Sequence, residues 1–166
     1  MKNDAPHGSD LHKLGELIDD IDVAMLTTRA ADGSLVSRPL KTLKLDAEGE
    51  IIFFTPAKSH KVDELTDDHS VNLAYADKGE NRYVSIRGRA RMDRDSETIE
   101  ELWSPAQKIF FPEGKGDPNL MVLRVRVRDA SYWEGSSNML ERAFDFAKAM
   151  VDDSPGDLGT QGHLDG

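Results

Sequence analysis

With 166 residues and a formal net charge of −10, the chain is long enough for one domain with a buried core, and its charge has the wrong sign for coating nucleic-acid phosphates. It contains no cysteine, which excludes a disulfide framework and thiol chemistry, and no apolar run approaches membrane-spanning length. The first nine residues are polar and lack the apolar stretch of a signal peptide, so a cytoplasmic protein with a flexible segment over 1–9 is expected.

Leu11, Leu14, Leu17, Ile18 and Ile21 recur at helical spacing, with Ser9 or Asp10 as the cap. Val23 to Thr28 reads as a strand, and Ala31-Asp32-Gly33-Ser34 as a hairpin turn. The return strand runs from Leu35 towards Leu45, and Ala47-Glu48-Gly49-Glu50 turns into the apolar run Ile51-Ile52-Phe53-Phe54. Three short strands joined by short turns predict an antiparallel meander. Pro56 cannot continue a sheet ladder and ends the third strand. Ser59 is a good N-cap for a short helix whose stripe holds Val62 and Leu65.

Val71 to Ala76 is a fourth strand, Asp77 to Asn81 a polar turn, and Tyr83 to Met92 a fifth strand. Gly88 inside that strand marks a bulge or a close backbone approach. Asp95 caps a helix whose Ile99, Leu102 and Trp103 share a face, and Pro112 to Pro118 forms a punctuated loop. Leu123, Val125 and Val127 then alternate with Arg124, Arg126 and Arg128 as a half-buried strand. Asn138 and Glu141 fit a capping box, and Leu140, Ala143, Phe144, Ala147, Met150 and Val151 form a helical stripe for the parent domain or a second subunit. Residues 152–166 have almost nothing to bury and read as a disordered, dispensable tail. The domain is thus expected over residues 10–151, as a mainly β fold with flanking helices and a closed six-stranded antiparallel barrel.

Thr55, Ser59, His60 and Lys61 decorate a strand-to-helix turn. Free backbone N–H groups, hydroxyls and an ammonium there make a phosphate seat. Capping by Ser59 and solvation of Lys61 account for the same residues without a ligand. The five histidines show no helical H-x-x-x-H pair or carboxylate companion, so no metal site is expected. Paired acids such as Asp19-Asp20 and Glu100-Glu101 read as solvated helix faces rather than a catalytic dyad.

Phe53-Phe54-Thr55 followed by Ser59-His60-Lys61 resembles the FMN-binding segment of the pyridoxamine 5′-phosphate oxidase superfamily, where an aromatic-Thr pair precedes Ser-Arg-Lys at this spacing. Ser37-Arg38-Pro39-Leu40, Tyr83 through Ala90, Trp103 through Pro112, Gly116-Asp117-Pro118 and Tyr132-Trp133 extend the likeness over roughly residues 10 to 135. It is nearest the general stress protein branch. The resemblance implies an FMN-binding split barrel, and a homodimer with two flavin sites at its interface. It implies that Lys61 meets the FMN phosphate, with Ser59 and His60 beside it. His60 replaces the family's Arg, which removes a fixed positive charge and makes phosphate binding weaker or more pH-sensitive. Arg38, Pro39 and Leu40 would run along the flavin, with Phe54 and Thr55 beside it, and Lys41 and Lys44 are both candidates for the family's strand lysine. Phe110, Phe111 and Trp133 are candidates to cover the ring, whereas Trp103 reads as core.

The true oxidases end in a Trp-rich, Arg-Leu-His-x-Arg segment that binds substrate and flavin. This chain lacks it, so oxidation of vitamin B6 is not expected. The expected function is an FMN-binding general stress protein, with an FMN-dependent oxidoreductase activity using NAD(P)H or a small-molecule substrate. The alternatives are a non-catalytic dimer that stores or senses flavin, and a relative that takes a deazaflavin or haem.

Overall fold

In the computed structural model, the described residues are 8–58, 70–135 and 160–165. Among these described residues, two α-helices flank one antiparallel sheet: α1 (Gly8–Ile18) and α2 (Ser96–Leu102), with β1 (Val23–Arg29), β2 (Leu35–Lys41), β3 (Lys44–Leu45), β4 (Glu50–Pro56), β5 (Ser70–Asp77), β6 (Arg82–Asp93), β7 (Leu120–Glu134) and β8 (Thr160–Asp165). Among the described residues no helix is long and apolar enough to cross a membrane. The expected helix at Ser59 to Leu65 and the Leu140 to Val151 stripe lie outside the described residues.

Helix α1 begins at Gly8, so Asp10 lies inside its first turn rather than at the cap, where a negative charge opposes the helix dipole. Leu14, Leu17, Ile18 and the following Ile21 are buried. Strand order is β2-β1-β5-β6-β7-β4-β3, with β8 beside β7. The expected meander is therefore corrected. Hairpins β1–β2 and β3–β4 form, but β4 pairs with β7, and β1 pairs with β5. The cause is a break at Thr42 and Leu43, where the expected return strand divides. Thr42 N–H donates to Asp22 O, and Leu43 N–H donates to Ile52 O, both at 2.9 Å. This crossover joins the two ends of the strand order and curls the sheet into an antiparallel split barrel.

The strand count is also corrected, from six to eight among the described residues. β3 is a two-residue fragment, and β8 lies in the expected disordered tail. Residues 160–165 need little apolar surface because they complete a backbone ladder along Asp129 to Glu134 of β7. Leu164 packs on the main core, and Gly162 lies so close to the Tyr132 ring that a Cβ there would collide with it.

Two clusters share the apolar residues. The larger fills the barrel, with α1 against Leu26, Ile51, Phe53, Leu73, Tyr75, Ile86, Leu123 and Val125. The smaller lies on the other face of β4 and β7, where α2 and Phe111 cover Ile52, Leu120 and Val122. Trp103 packs at its margin, as expected of a core residue. This second layer buries Arg124, so β7 is covered on both faces there rather than half-buried. Arg124 is matched by Asp93 Oδ2 at 2.7 Å and Thr98 Oγ1 at 2.6 Å. Buried Glu50 accepts from Arg91 Nη2 and Arg126 Nη2, each at 3.0 Å. Unmatched, such charges would cost several kcal/mol apiece.

Gly88 satisfies both sequence readings. The β6–β7 register shifts between Arg87 and Gly88, and an added Cβ would lie 2.5 Å from Val125 Cγ1 and 2.8 Å from Arg126 O. Gly88→Ala should destabilise the fold by about 1–3 kcal/mol, the usual cost of overpacking. Calorimetry should show a Tm lowered by roughly 2–12 °C, at about 2–4 °C per kcal/mol for a chain of this size.

Candidate functional site

Cross-strand partners in an antiparallel pair project from the same face. Arg38 is opposite Leu26 and Leu40 opposite Ala24, both fully buried, so Arg38 and Leu40 point to the barrel interior. Pro39 is opposite Met25 and lies on the outer face. On β4, Thr55 follows Phe53 at the two-residue spacing and is fully buried. Phe54 projects the other way, into the second cluster with Phe111 and Trp103. The sheet thus assigns Arg38, Leu40 and Thr55 to the inner face and sends Pro39 and Phe54 outward. Ser59, His60 and Lys61 lie outside the described residues.

The route out of β4 is set by residues that sequence reasoning gave no role. Asn119 O accepts from Ala57 N–H at 2.7 Å, and Asn119 Oδ1 accepts from Lys58 N–H at 3.2 Å. Asp117 holds this clamp in turn. Its Oδ1 accepts from Asn119 N–H at 2.9 Å and its Oδ2 from Glu113 N–H at 3.1 Å. The visible signal was Asp117-Pro118-Asn119 itself, since Asp and Asn commonly bond backbone groups two residues on.

The two strand lysines also separate. Lys44 Nζ pairs with Glu101 on α2, which raises the lysine's pKa. Lys41 is exposed on the outer face, opposite Val23. Neither faces the barrel interior beside Arg38.

The aromatic candidates occupy three different settings. Phe111 is 2% exposed and belongs to the second cluster, the core setting that was one of its two open readings. Phe110, its neighbour, is 68% exposed at the end of the 3-10 turn Pro105–Ile109. Trp133 is opposite Tyr83 on the outer face. With Val23, Met25, Ala74 and Ser85 it lines a shallow depression of about 410 Å³. A larger groove of about 770 Å³ lies between α1 and β3. Its walls carry Glu16, Asp19, Asp22 and Asp46, the wrong sign for a phosphate.

A family model described as pyridoxamine 5′-phosphate oxidase like matches residues 9–157. The chain belongs to that family. Protein bli-3 of Neurospora crassa is 23% identical over 165 residues, covering 93% of this chain and 79% of that protein. General stress protein 26 of Bacillus subtilis is 30% identical over 84 residues, covering 48% of this chain and 59% of that protein. The crystal structure of a general stress FMN/FAD binding protein from Xanthomonas citri superposes with a TM-score of 0.67 at 28% identity, covering 79% of this chain and 92% of that one. The general stress proteins are the branch to which sequence and fold both point.

Within this family fold, Tyr75 is a buried anchor that the sequence reading passed over. Its hydroxyl is 2.7 Å from Thr42 Oγ1, at the crossover that follows Arg38 and Leu40. Burial pushes the phenol up to about 12, partly offset by the hydrogen bond with Thr42. An acid raised in the folded state stabilises the fold fully below its unfolded pKa and loses that contribution as pH rises through the folded value. Stability should therefore fall between about pH 10, the ordinary tyrosine value, and about 12. Denaturation midpoints across this range should show a shallower alkaline fall in Tyr75→Phe.

Proposed function

We propose that the chain binds FMN at the mouth of the barrel, as a homodimer, and that its activity is a flavin-dependent oxidoreduction other than vitamin B6 oxidation. The observation that carries this reading is the inward projection of Arg38. A solvated strand arginine belongs on the outer face, yet this one is half-buried on the core-facing side of β2, aligned with Leu26. Fully buried Thr55 adds a hydroxyl to the same interior, and Asn119 sets the path by which the chain leaves β4 towards Lys61. These groups fit a flavin: an apolar wall for the ring, hydrogen-bonding groups at its edge and cations for the phosphate. The Xanthomonas citri protein's description as FMN/FAD binding supports the same ligand class.

Bound FMN supplies the electron transfer. The protein's part is to bind, orient and shield it. The buried polar residues among those described are Thr28, Glu50, Thr55, Thr98, Asp117 and Arg124. Glu50, Thr98, Asp117 and Arg124 are engaged in structural hydrogen bonds, which leaves no acid–base pair among the buried polar groups of the described residues. This suits hydride chemistry on the flavin itself, and it equally suits a non-catalytic carrier. Reduction of bound FMN by NADH or NADPH in a single turnover separates the two. A flavin absorption spectrum in the purified protein separates both from a deazaflavin or haem relative.

Lys61→Ala should weaken FMN binding by about tenfold or more, since a hydrogen bond to a charged group contributes roughly 1.5–3 kcal/mol. Riboflavin, which has the ring without the phosphate, should bind the variant and the parent alike. Equal loss of both ligands in fluorescence titrations would remove the phosphate role.

This reading puts the dimer seam at the end of the outer face away from Arg89, where Val23 and Met25 of β1 are exposed beside Ala74 of β5, Tyr83 of β6 and Trp133 of β7. Exposed apolar patches of this kind mark interaction surfaces. Met25→Glu places a charge in that patch and should convert the sedimenting species from twice the chain mass to the chain mass at micromolar concentration. A parent protein that sediments as a monomer with FMN bound would sink the shared-site arrangement.

A further inference from the structure

We propose that the exposed arginine band on β6 and β7, centred on Arg89, Arg126 and Arg128, is a binding site for the diphosphate group of a small ligand. Of the 21 lysines and arginines in this acidic chain, six arginines are on the outer face of these two paired strands, and Arg82, also on β6, is on the face of buried Val84 and Ile86. On β6, Arg87, Arg89 and Arg91 are exposed, while Ile86, Gly88 and Ala90 between them are buried. On β7, Arg124 and Arg126 alternate with buried Leu123, Val125 and Val127.

The bulge adds a further cation to this face. Gly88 pairs with Val127 and Arg87 with Asp129, so Arg128 has no residue opposite it. Arg128 and Asp129 therefore occupy the outer side together, between buried Val127 and Ala130.

Charge matching across the band is incomplete. Arg87 is paired with Asp129. Glu50 serves Arg91 and Arg126, while Asp93 pairs with both Arg91 and Arg124, and Asp95 adds to Arg124. Arg89 is directly opposite Arg126, a like-charge pairing that destabilises a sheet. Its contact among the described residues is Ser70 Oγ at 3.3 Å, which carries no charge. Arg128 has no hydrogen bond or ion pair among the described residues. An anion between Arg89, Arg126 and Arg128 would relieve the repulsion and use guanidinium forks suited to phosphate oxygens.

Size and sign select the ligand. Opposite side chains start about 5 Å apart and alternate residues along a strand about 7 Å apart. The surplus charge thus covers one or two phosphates. A long polyanion would run beyond it into the field of a chain carrying −10. The band is on the outer face, away from the inward Arg38 and Thr55, so it stands independently of the flavin reading.

Isothermal titration of the full chain with sodium pyrophosphate at low salt, with and without excess FMN, tests this. The expected result is one diphosphate per chain, with affinity reduced about tenfold or more in Arg89→Gln/Arg128→Gln. Lys78→Gln/Lys108→Gln, which removes exposed cations elsewhere, should change it less than about twofold. ADP and adenosine distinguish the source. ADP tighter than pyrophosphate assigns a nucleotide, and equal affinities assign the bare diphosphate. The proposal fails if the parent does not bind pyrophosphate, or if the Arg89/Arg128 variant binds it as the parent does. It also fails if excess FMN abolishes binding, because the anion then occupies the flavin seat, or if a short DNA duplex binds more tightly than the diphosphate. Both arginines are exposed, so an unchanged Tm in the double variant separates lost binding from lost folding.

Discussion

The backbone ladder of β7 is the constraint on which the rest of the molecule depends. It runs for fifteen residues and pairs with β6 from Val122 to Glu134 along one edge, while the other edge is divided between β4 and β8. A strand of this length, paired on both sides, must twist. The bulge at Gly88 and Arg128 absorbs one residue of mismatch without turning Ala130 away from the core. In a regular ladder with the same residues, Leu123 and Ala130, an odd number apart, would project from opposite faces, and the two halves of β7 would not serve one interior. The close approach of Gly88 to Val125 and Arg126 is the local consequence.

The crossover at Thr42 and Leu43 turns this ladder into a barrel. Its two backbone bonds tie the β1 side of the sheet to β4, and the Thr42–Tyr75 contact fastens the crossover to β5. Arg38 and Leu40 immediately precede it, so their inward projection follows from the same closure that sets β4. The Asn119 clamp then acts at the other end of β4, on Ala57 and Lys58. One strand held at both ends links the Arg38 segment to the segment that begins at Ser59.

Much of this was legible in residue patterns. The alternation of Leu123, Val125 and Val127, the stop at Pro56 and the Asp95 cap each correspond to observed features. These signals are local: a period, a missing donor, an oxygen able to accept from the first turn. The misread parts depend on distant partners. Arg124 alternates like a solvated residue and is buried because α2 packs over it. The tail at 160–165 looked unstructured because hydrophobic content was weighed, whereas its order comes from a vacant stretch of β7 edge. In the candidate site, Arg38 shares a face with Leu40 on β2 and Thr55 with Phe53 on β4, because residues two apart along a strand project to one side. Asn119 lacked a visible role because its partners are about sixty residues earlier in the chain.

Phe54 and Thr55 show how adjacent residues serve different ends. Because strand side chains alternate, Thr55 enters the barrel while Phe54 enters the cluster under α2. That cluster holds Phe111, and the same turn carries Phe110 outward; both Phe110 N–H and Phe111 N–H bond to Gln107 O. The packed aromatic therefore locates the exposed one. Lys44, bonded to Glu101, ties α2 back to β3 and hence to the crossover beyond Arg38. The strand that presents Thr55 to the interior is thus packed on its other face through Ile52 and Phe54, so the α2 layer and the inner face share β4 as a common wall.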